Sequence, residues 1–179
     1  LFVLWGAKDT RNRFWNKPVE SHSVRFKKCC WSTTIISAPV LVIFALISAG
    51  SVWWTSDSLV DLFKRIFIWH LLLALPLYIA WALLQQFLFQ FYLMSRLRAL
   101  MPSTEPVVLS LINGVLFSAV HIDDWKIALP TFFMGWVWSM LYLKYRCITP
   151  LAVSHAFLGG TYFHWVLNRN IFASLLKIN

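Results

Sequence analysis

Long apolar runs constrain the fold of this chain more than any other feature of its sequence. A helix that crosses the hydrocarbon core of a bilayer needs roughly 20 apolar residues. Residues 32–54 form one such run, and residues 66–94 form another. Because an unpaired backbone group is costly in lipid, runs of this kind fold as helices. We therefore expect an all-α, polytopic transmembrane helical bundle.

Further apolar runs raise the expected number of spans to about five, with short interfacial helices between them. Residues 107–121 predict a short third span, residues 127–143 a fourth, and residues 150–167 a fifth. The second run, 66–94, would be roughly 43 Å long as one straight helix, which exceeds the hydrocarbon thickness. We therefore expect that span to kink at Pro76.

The composition agrees with a membrane protein. Of the 179 residues, 59% are hydrophobic and 13% are charged, a balance typical of membrane chains. The formal net charge is +9, but the basic residues cluster at the ends of apolar runs, where membrane topology explains them. We therefore expect membrane lipids as partners and no nucleic acid.

Three parts of the chain differ in polarity. Residues 1–30 are a basic segment without a visible signal peptide, residues 31–170 hold the transmembrane bundle, and residues 171–179 form a short C-terminal tail. The excess of Lys and Arg before the first apolar run predicts a cytoplasmic N-terminus. The chain is thus expected to be an integral membrane protein with its basic segment inside the cell.

Polar side chains inside apolar runs are costly and often mark a site. Here Gln85, Gln86 and Gln90 lie on the second run, His121 ends the third, and His155 lies in the fifth. On a helix, Gln86 and Gln90 share one face. Two histidines with an amide or carboxylate could hold a metal ion. The spacing leaves a simpler interpretation open, in which the glutamines hydrogen-bond neighbouring helices.

The order of these residues resembles the CAAX protease and bacteriocin-processing intramembrane metalloproteases, also called the ABI family. Members carry Glu-Glu-x-x-x-Arg, Phe-x-x-x-His and His-x-x-x-Asn, each on a different membrane helix. This chain has QQFLFQ at 85–90, FSAVH at 117–121 and HAFLG at 155–159. The resemblance covers about residues 76–160 and implies a bacterial inner membrane protein.

The resemblance also implies that this chain lacks the family's hydrolytic groups. In active members a glutamate is the general base, and two histidines gather a metal or position a water; His121 and His155 match them. The motif positions that depart from the family pattern are Gln85, Gln86, Gln90 and Gly159. An amide has no useful basicity. We therefore interpret the chain as a non-proteolytic relative without a cofactor, a scaffold or accessory subunit that binds an integral membrane protein partner.

Two alternatives stay open. An atypical active metalloprotease would bind zinc through His121 and His155, with Asp123 or Asp124 as the base in a loop that dips into the pocket. A cofactor-binding subunit would use His70, His121 or His155 as an axial ligand of a tetrapyrrole. The protease predicts bound zinc, the cofactor-binding subunit predicts visible absorbance, and the scaffold predicts stable co-purification with its partner.

Overall fold

A computed structural model describes residues 21–55, 58, 60, 63, 66 and 69–169 of the chain. All regular secondary structure in these residues is helical. The elements in chain order are α1 (His22–Thr55), α2 (Trp69–Gln86), a first π-helical segment (Phe87–Leu93), α3 (Met94–Leu100), α4 (Pro106–Ala119), α5 (Trp125–Tyr145), α6 (Thr149–Thr161) and a second π-helical segment (Tyr162–Val166). This confirms the predicted all-α class, a helical membrane bundle.

The helices coincide with the predicted apolar runs, and the main difference lies at the start of the chain. α1 begins at His22, before the apolar run and before the predicted boundary at residue 30. Basic side chains such as Lys28 extend the helix because their charged ends can reach water from a helical backbone. Residues 1–20 and 170–179, which include most of the basic segment and all of the tail, lie outside the described residues.

Within the described part of the chain, two helical stretches are long and apolar enough to cross a membrane, His22–Thr55 and Leu73–Leu100. The helix Pro106–Ala119 is apolar but shorter. Large apolar side chains on α1 are exposed, including Val42 at 57% and Leu46 at 66%. Exposed apolar surface of this extent marks a face that meets lipid or another protein.

The second apolar run departs from regular α-helix at an unexpected place. Pro76 lies inside α2, which continues to Gln86. From Phe87 to Leu93 the backbone is π-helical, with hydrogen bonds one residue longer than in an α-helix. π-helical segments frequently lie at functional sites. The kink at Pro76 stays a prediction, whereas the π-helical segment was not foreseen.

The described helices belong to two compact units. Of the described residues, those within 21–31 and 85–151 form the first unit, and those within 32–84 and 152–169 form the second. The boundary within α2 falls between Leu84 and Gln85, directly before the motif glutamines.

In the first unit, α4 and α5 approach each other closely at two glycines. A Cβ atom added to Gly135 would lie 2.8 Å from Phe117 Cδ1 and 3.3 Å from Gly114 Cα. A Cβ atom added to Gly114 would lie 3.0 Å from the carbonyl oxygen of Phe132 on α5. Small residues permit such contacts between membrane helices, so these glycines set how close the two helices lie.

In the second unit, α1 packs against α6 and the π-helical segment that follows it. The hydroxyls of Ser37 and Ser154 are hydrogen-bonded at 2.7 Å and are buried. The ring centroids of Phe44 and Tyr162 are 5.2 Å apart. A polar contact and an aromatic contact therefore hold these helices together, in addition to apolar packing.

Candidate functional site

The motif glutamines span the junction between α2 and the first π-helical segment. Gln85 is half-buried, while Gln86 and Gln90 are each only 1% exposed. Burial of both Gln86 and Gln90 is what the sequence predicts for two residues on one inward helix face. Amide side chains in such a position need hydrogen-bond partners, because an unsatisfied buried polar group is costly.

Gln90 obtains its partner from Asn113 on α4. Asn113 Nδ2 donates to Gln90 Oε1 at 3.3 Å and to Ser139 Oγ at 2.8 Å. Ser139 Oγ in turn donates to the carbonyl oxygen of Gly135 at 2.6 Å. Asn113 and Ser139 are both 0% exposed. The result is a buried chain of hydrogen bonds made only of neutral groups, the amide network Gln90–Asn113–Ser139.

Asn113 and Ser139 were missed by the sequence analysis, although one signal pointed to Asn113. It is a polar residue in an apolar run, and it lies four residues before Phe117, which lies four residues before His121. Residues at this spacing lie along one side of a helix. Ser139 has no comparable signal, because serine is common in membrane helices and usually bonds its own backbone.

Phe117 is buried among aromatic rings and contacts His121. It is 1% exposed, and its ring meets Phe89 at 4.7 Å and Trp138 at 6.0 Å between centroids. The His121 ring lies 6.3 Å from the Phe117 ring, at an interplanar angle of 81°. His121 follows the end of α4 and is partly buried. The two residues of the motif Phe-x-x-x-His, Phe117 and His121, thus belong to one aromatic cluster in the first unit.

The two aspartates after His121 have different environments. Asp124 is the N-cap of α5, and its side chain accepts a hydrogen bond from the backbone N–H of Lys126 at 3.0 Å. Asp123 is exposed in the turn between α4 and α5. An N-cap carboxylate satisfies a free N–H of the first helical turn. Asp124 therefore has a structural role that the sequence analysis did not assign to it.

His155 lies in the second unit, on α6. It is 7% exposed, and its ring lies 6.4 Å from the ring of Tyr78 on α2, at an interplanar angle of 69°. Gly159 follows one helical turn later on the same face. The convergence of His155 with His121 stays a prediction. The side chain of His70 lies outside the described part of the chain.

The side chains at the motif positions do not fit a tightly bound zinc ion. Structural and catalytic zinc sites use His, Cys, Asp or Glu as ligands, and catalytic sites combine three of them. No group of three or more such side chains within the described residues is arranged to hold a metal ion. Gln85 and Gln86 offer neutral amides where the family pattern has carboxylates.

Comparison with known families gives one match. The chain matches the family model described as type II CAAX prenyl endopeptidase Rce1-like over residues 67–161. The matched region covers more than half of the 179 residues and contains every motif position from Gln85 to Gly159. No curated protein and no solved structure matches the chain.

Proposed function

Because the chain belongs to the Rce1-like family of type II CAAX prenyl endopeptidases, we propose that it is a non-proteolytic member of that family. In this proposal it is a scaffold or accessory subunit that binds an integral membrane protein in a membrane complex. Family membership makes it a CAAX protease-like membrane protein, and the loss of hydrolytic activity and the role in a complex are the proposed steps.

The observation that carries the proposal is the amide network around Gln90. Gln90 is a neutral amide at a position where the family pattern has a cation. It is hydrogen-bonded to Asn113, which is also neutral and is hydrogen-bonded in turn to Ser139. A buried cation would need a carboxylate nearby, because an unpaired charge in this environment is costly. Gln85 and Gln86 supply no carboxylate, so the absence of a cation at position 90 is consistent with the absence of carboxylates at positions 85 and 86.

Peptide hydrolysis also needs a general base within reach of a water. An amide cannot act as that base near neutral pH. Asp124 is engaged as the N-cap of α5, and Asp123 is exposed in the turn. These environments support the non-proteolytic interpretation over the alternative in which one of the two aspartates replaces the lost glutamate.

Exposed apolar faces support the scaffold role. Ile35, Ile43 and Trp54 on α1 are 52%, 53% and 90% exposed. Extended apolar surface of this kind packs against lipid tails or against another membrane helix. We propose that part of this surface contacts an integral membrane protein and that the rest contacts lipid.

The loss of hydrolysis is tested with a prenylated CAAX-type peptide and with the metal content of the purified protein. We expect no cleavage and no stoichiometric zinc in the wild type, and no change in either for the double variant His121→Ala/His155→Ala. The matched control is His22→Ala, which removes a histidine at the start of α1 that belongs to none of the motifs. Cleavage or zinc that disappears in the double variant but persists in His22→Ala would overturn the proposal.

The scaffold role is tested by purifying the chain in lipid nanodiscs after crosslinking in its native membrane. We expect one integral membrane protein at a fixed stoichiometry, with the same partner retained by the double variant His121→Ala/His155→Ala. A chain that purifies alone after crosslinking would contradict the role in a complex. An absorbance spectrum of the same sample tests the tetrapyrrole alternative, since a bound tetrapyrrole absorbs visible light.

A further inference from the structure

Gly159 is the motif position at which a side chain is missing, and the structure shows what occupies that space. A Cβ atom added to Gly159 would lie 2.5 Å from Tyr78 Oη and 3.2 Å from Tyr78 Cε1 and Cζ. Cβ contacts shorter than 3.0 Å are essentially never seen. Gly159 does not have a positive φ, so its backbone conformation does not require glycine. It is the volume of Tyr78 that excludes a side chain.

The surroundings of Tyr78 are built from small residues. Ala82, Ala152 and Ala156 are each 0% exposed and form one buried cluster with Tyr78, which is 7% exposed. Ala152 and Ala156 lie one helical turn apart on α6 and leave room for the phenol ring against that helix. Larger side chains at these positions would displace the ring, because packed interiors tolerate little added volume.

Tyr78 also contacts His155, which lies four residues before Gly159 on α6. The two rings meet near edge to face, at 6.4 Å and 69°. Edge-to-face contacts of this kind favour a defined ring orientation. One side chain on α2 therefore touches both motif positions on α6, filling the space beside Gly159 and packing against the imidazole.

We propose that Tyr78 is the positioning residue for His155 and takes the place of a side chain at position 159. Its ring orients the imidazole, and its hydroxyl supplies a polar group next to the glycine. The hydroxyl both donates and accepts hydrogen bonds. The packing relation between Tyr78, His155 and Gly159 is independent of the proposed function.

A double-mutant cycle tests whether Tyr78 Oη occupies the space of a residue 159 side chain. Gly159→Ala should lower the melting temperature of the detergent-purified protein by about 5 °C, because the new methyl group overlaps Oη. In a Tyr78→Phe background the same substitution should cost less than half as much, since Oη is gone. Gly50→Ala, at a glycine with nothing within 4 Å of an added Cβ, is the matched control.

Equal losses in the two backgrounds would overturn this part of the inference. The reason is that the penalty of Gly159→Ala would then not come from the Tyr78 hydroxyl. A large loss of melting temperature in the Gly50→Ala control would show that replacing any helical glycine has this effect. That result would also contradict this part of the inference.

The positioning role is tested by the NMR signals of labelled histidine, with His155→Ala used to assign the His155 resonances. Tyr78→Phe keeps the ring and should keep the His155 shifts close to those of the wild type. Tyr78→Leu removes the ring and should move them, while the resonances of His22 stay unchanged. Unmoved His155 resonances in Tyr78→Leu would overturn the positioning role.

The two proposals fail in different experiments. Cleavage of a peptide by the wild type would refute the proposed function and leave the Tyr78 cycle and the His155 shifts interpretable. Absence of coupling between Tyr78 and Gly159 would refute the placement of Tyr78 Oη in the space of a residue 159 side chain, and unmoved His155 resonances would refute the positioning role; neither outcome would affect the metal and cleavage results.

Discussion

Gln90 in the first unit and Gly159 in the second both stand where the family pattern has a different side chain, but the two substitutions have different physical consequences. At Gln90 a neutral amide stands where the family pattern has a charge, and its Oε1 accepts a hydrogen bond from Asn113 Nδ2 at 3.3 Å. At Gly159 a side chain is absent, and Tyr78 Oη lies 2.5 Å from where its Cβ would be. The first region holds a neutral side chain where the family pattern has a charge, and in the second region a side chain from another helix fills the space beside the glycine.

This difference predicts opposite sensitivities in the two regions. The amide network should be most sensitive to an added charge, since its members are buried and neutral. The Tyr78–Gly159 contact should tolerate changes in polarity better than added volume, since the contact is one of shape. The substitutions below test these sensitivities, beginning with the largest expected effect.

Gln90→Arg should have the largest effect, because it restores a charge to a site that is 1% exposed. An uncompensated buried charge costs about 3–5 kcal/mol of unfolding free energy. Adding Gln86→Glu, one helical turn earlier, supplies an opposite charge and should recover part of the loss. Equilibrium unfolding in detergent measures both variants. An unchanged stability of Gln90→Arg would contradict the neutral interpretation of the first region.

Asn113→Ala should have the next largest effect. It removes the hydrogen bonds to Gln90 and Ser139 and leaves a buried amide unsatisfied, at a cost of about 1–3 kcal/mol. Ser110→Ala is the matched control, because Ser110 is 0% exposed and donates to the carbonyl of Pro106 in its own helix. The control should stay within about 0.5 kcal/mol of the wild type. Equal losses in both variants would mean that the network adds nothing beyond burial.

Gly135→Ala tests whether the stability of the first unit is also sensitive to added side-chain volume. The added Cβ would lie 2.8 Å from Phe117 Cδ1, so we expect a loss of about 1–3 kcal/mol of unfolding free energy from overpacking. Gly50→Ala adds the same atom where nothing lies within 4 Å and should stabilise α1 by up to about 1 kcal/mol. Chemical unfolding of both variants measures whether their changes in unfolding free energy have opposite signs. A loss at Gly135 shows that the first unit depends on shape at its helix contact as well as on neutrality.

Asp124 should show the smallest effect and separates a structural role from a chemical one. Asp124→Ala removes the N-cap of α5 and should cost about 1 kcal/mol of unfolding free energy. Asp124→Asn keeps a capping oxygen and should retain the wild-type stability. A cleavage assay on the same variants completes the test. Peptide cleavage that is present in the wild type and lost in Asp124→Asn would support the protease alternative.

The positions of the helices could largely be predicted from the sequence. In the residues that the structure describes, the five apolar runs coincide largely with helices, because backbone groups in lipid can only be satisfied within a helix. Pro106 at the first turn of α4 is a local signal of the same kind, since proline suits a helix start. The earlier start of α1 at His22 was not predicted, because hydropathy does not detect a basic helical turn.

The site could be predicted only in part. Burial of Gln86, Gln90 and His155 follows from polar residues placed within apolar runs. The π-helical segment Phe87–Leu93 has no sequence signal that hydrophobic periodicity would detect. The roles of Ser139, Tyr78 and Asp124 were missed as well, because each depends on which neighbour the side chain meets.

The sequence by itself determined that this chain forms membrane helices, where they lie along the chain, and which family motifs it carries in altered form. The tertiary structure decided that Asn113 bonds Gln90 and that Tyr78 fills the space beside Gly159. The physical reason is that helix formation depends on local hydrophobicity and backbone hydrogen bonding. Contacts between helices depend on their rotation and separation, which the packing of many distant residues sets together.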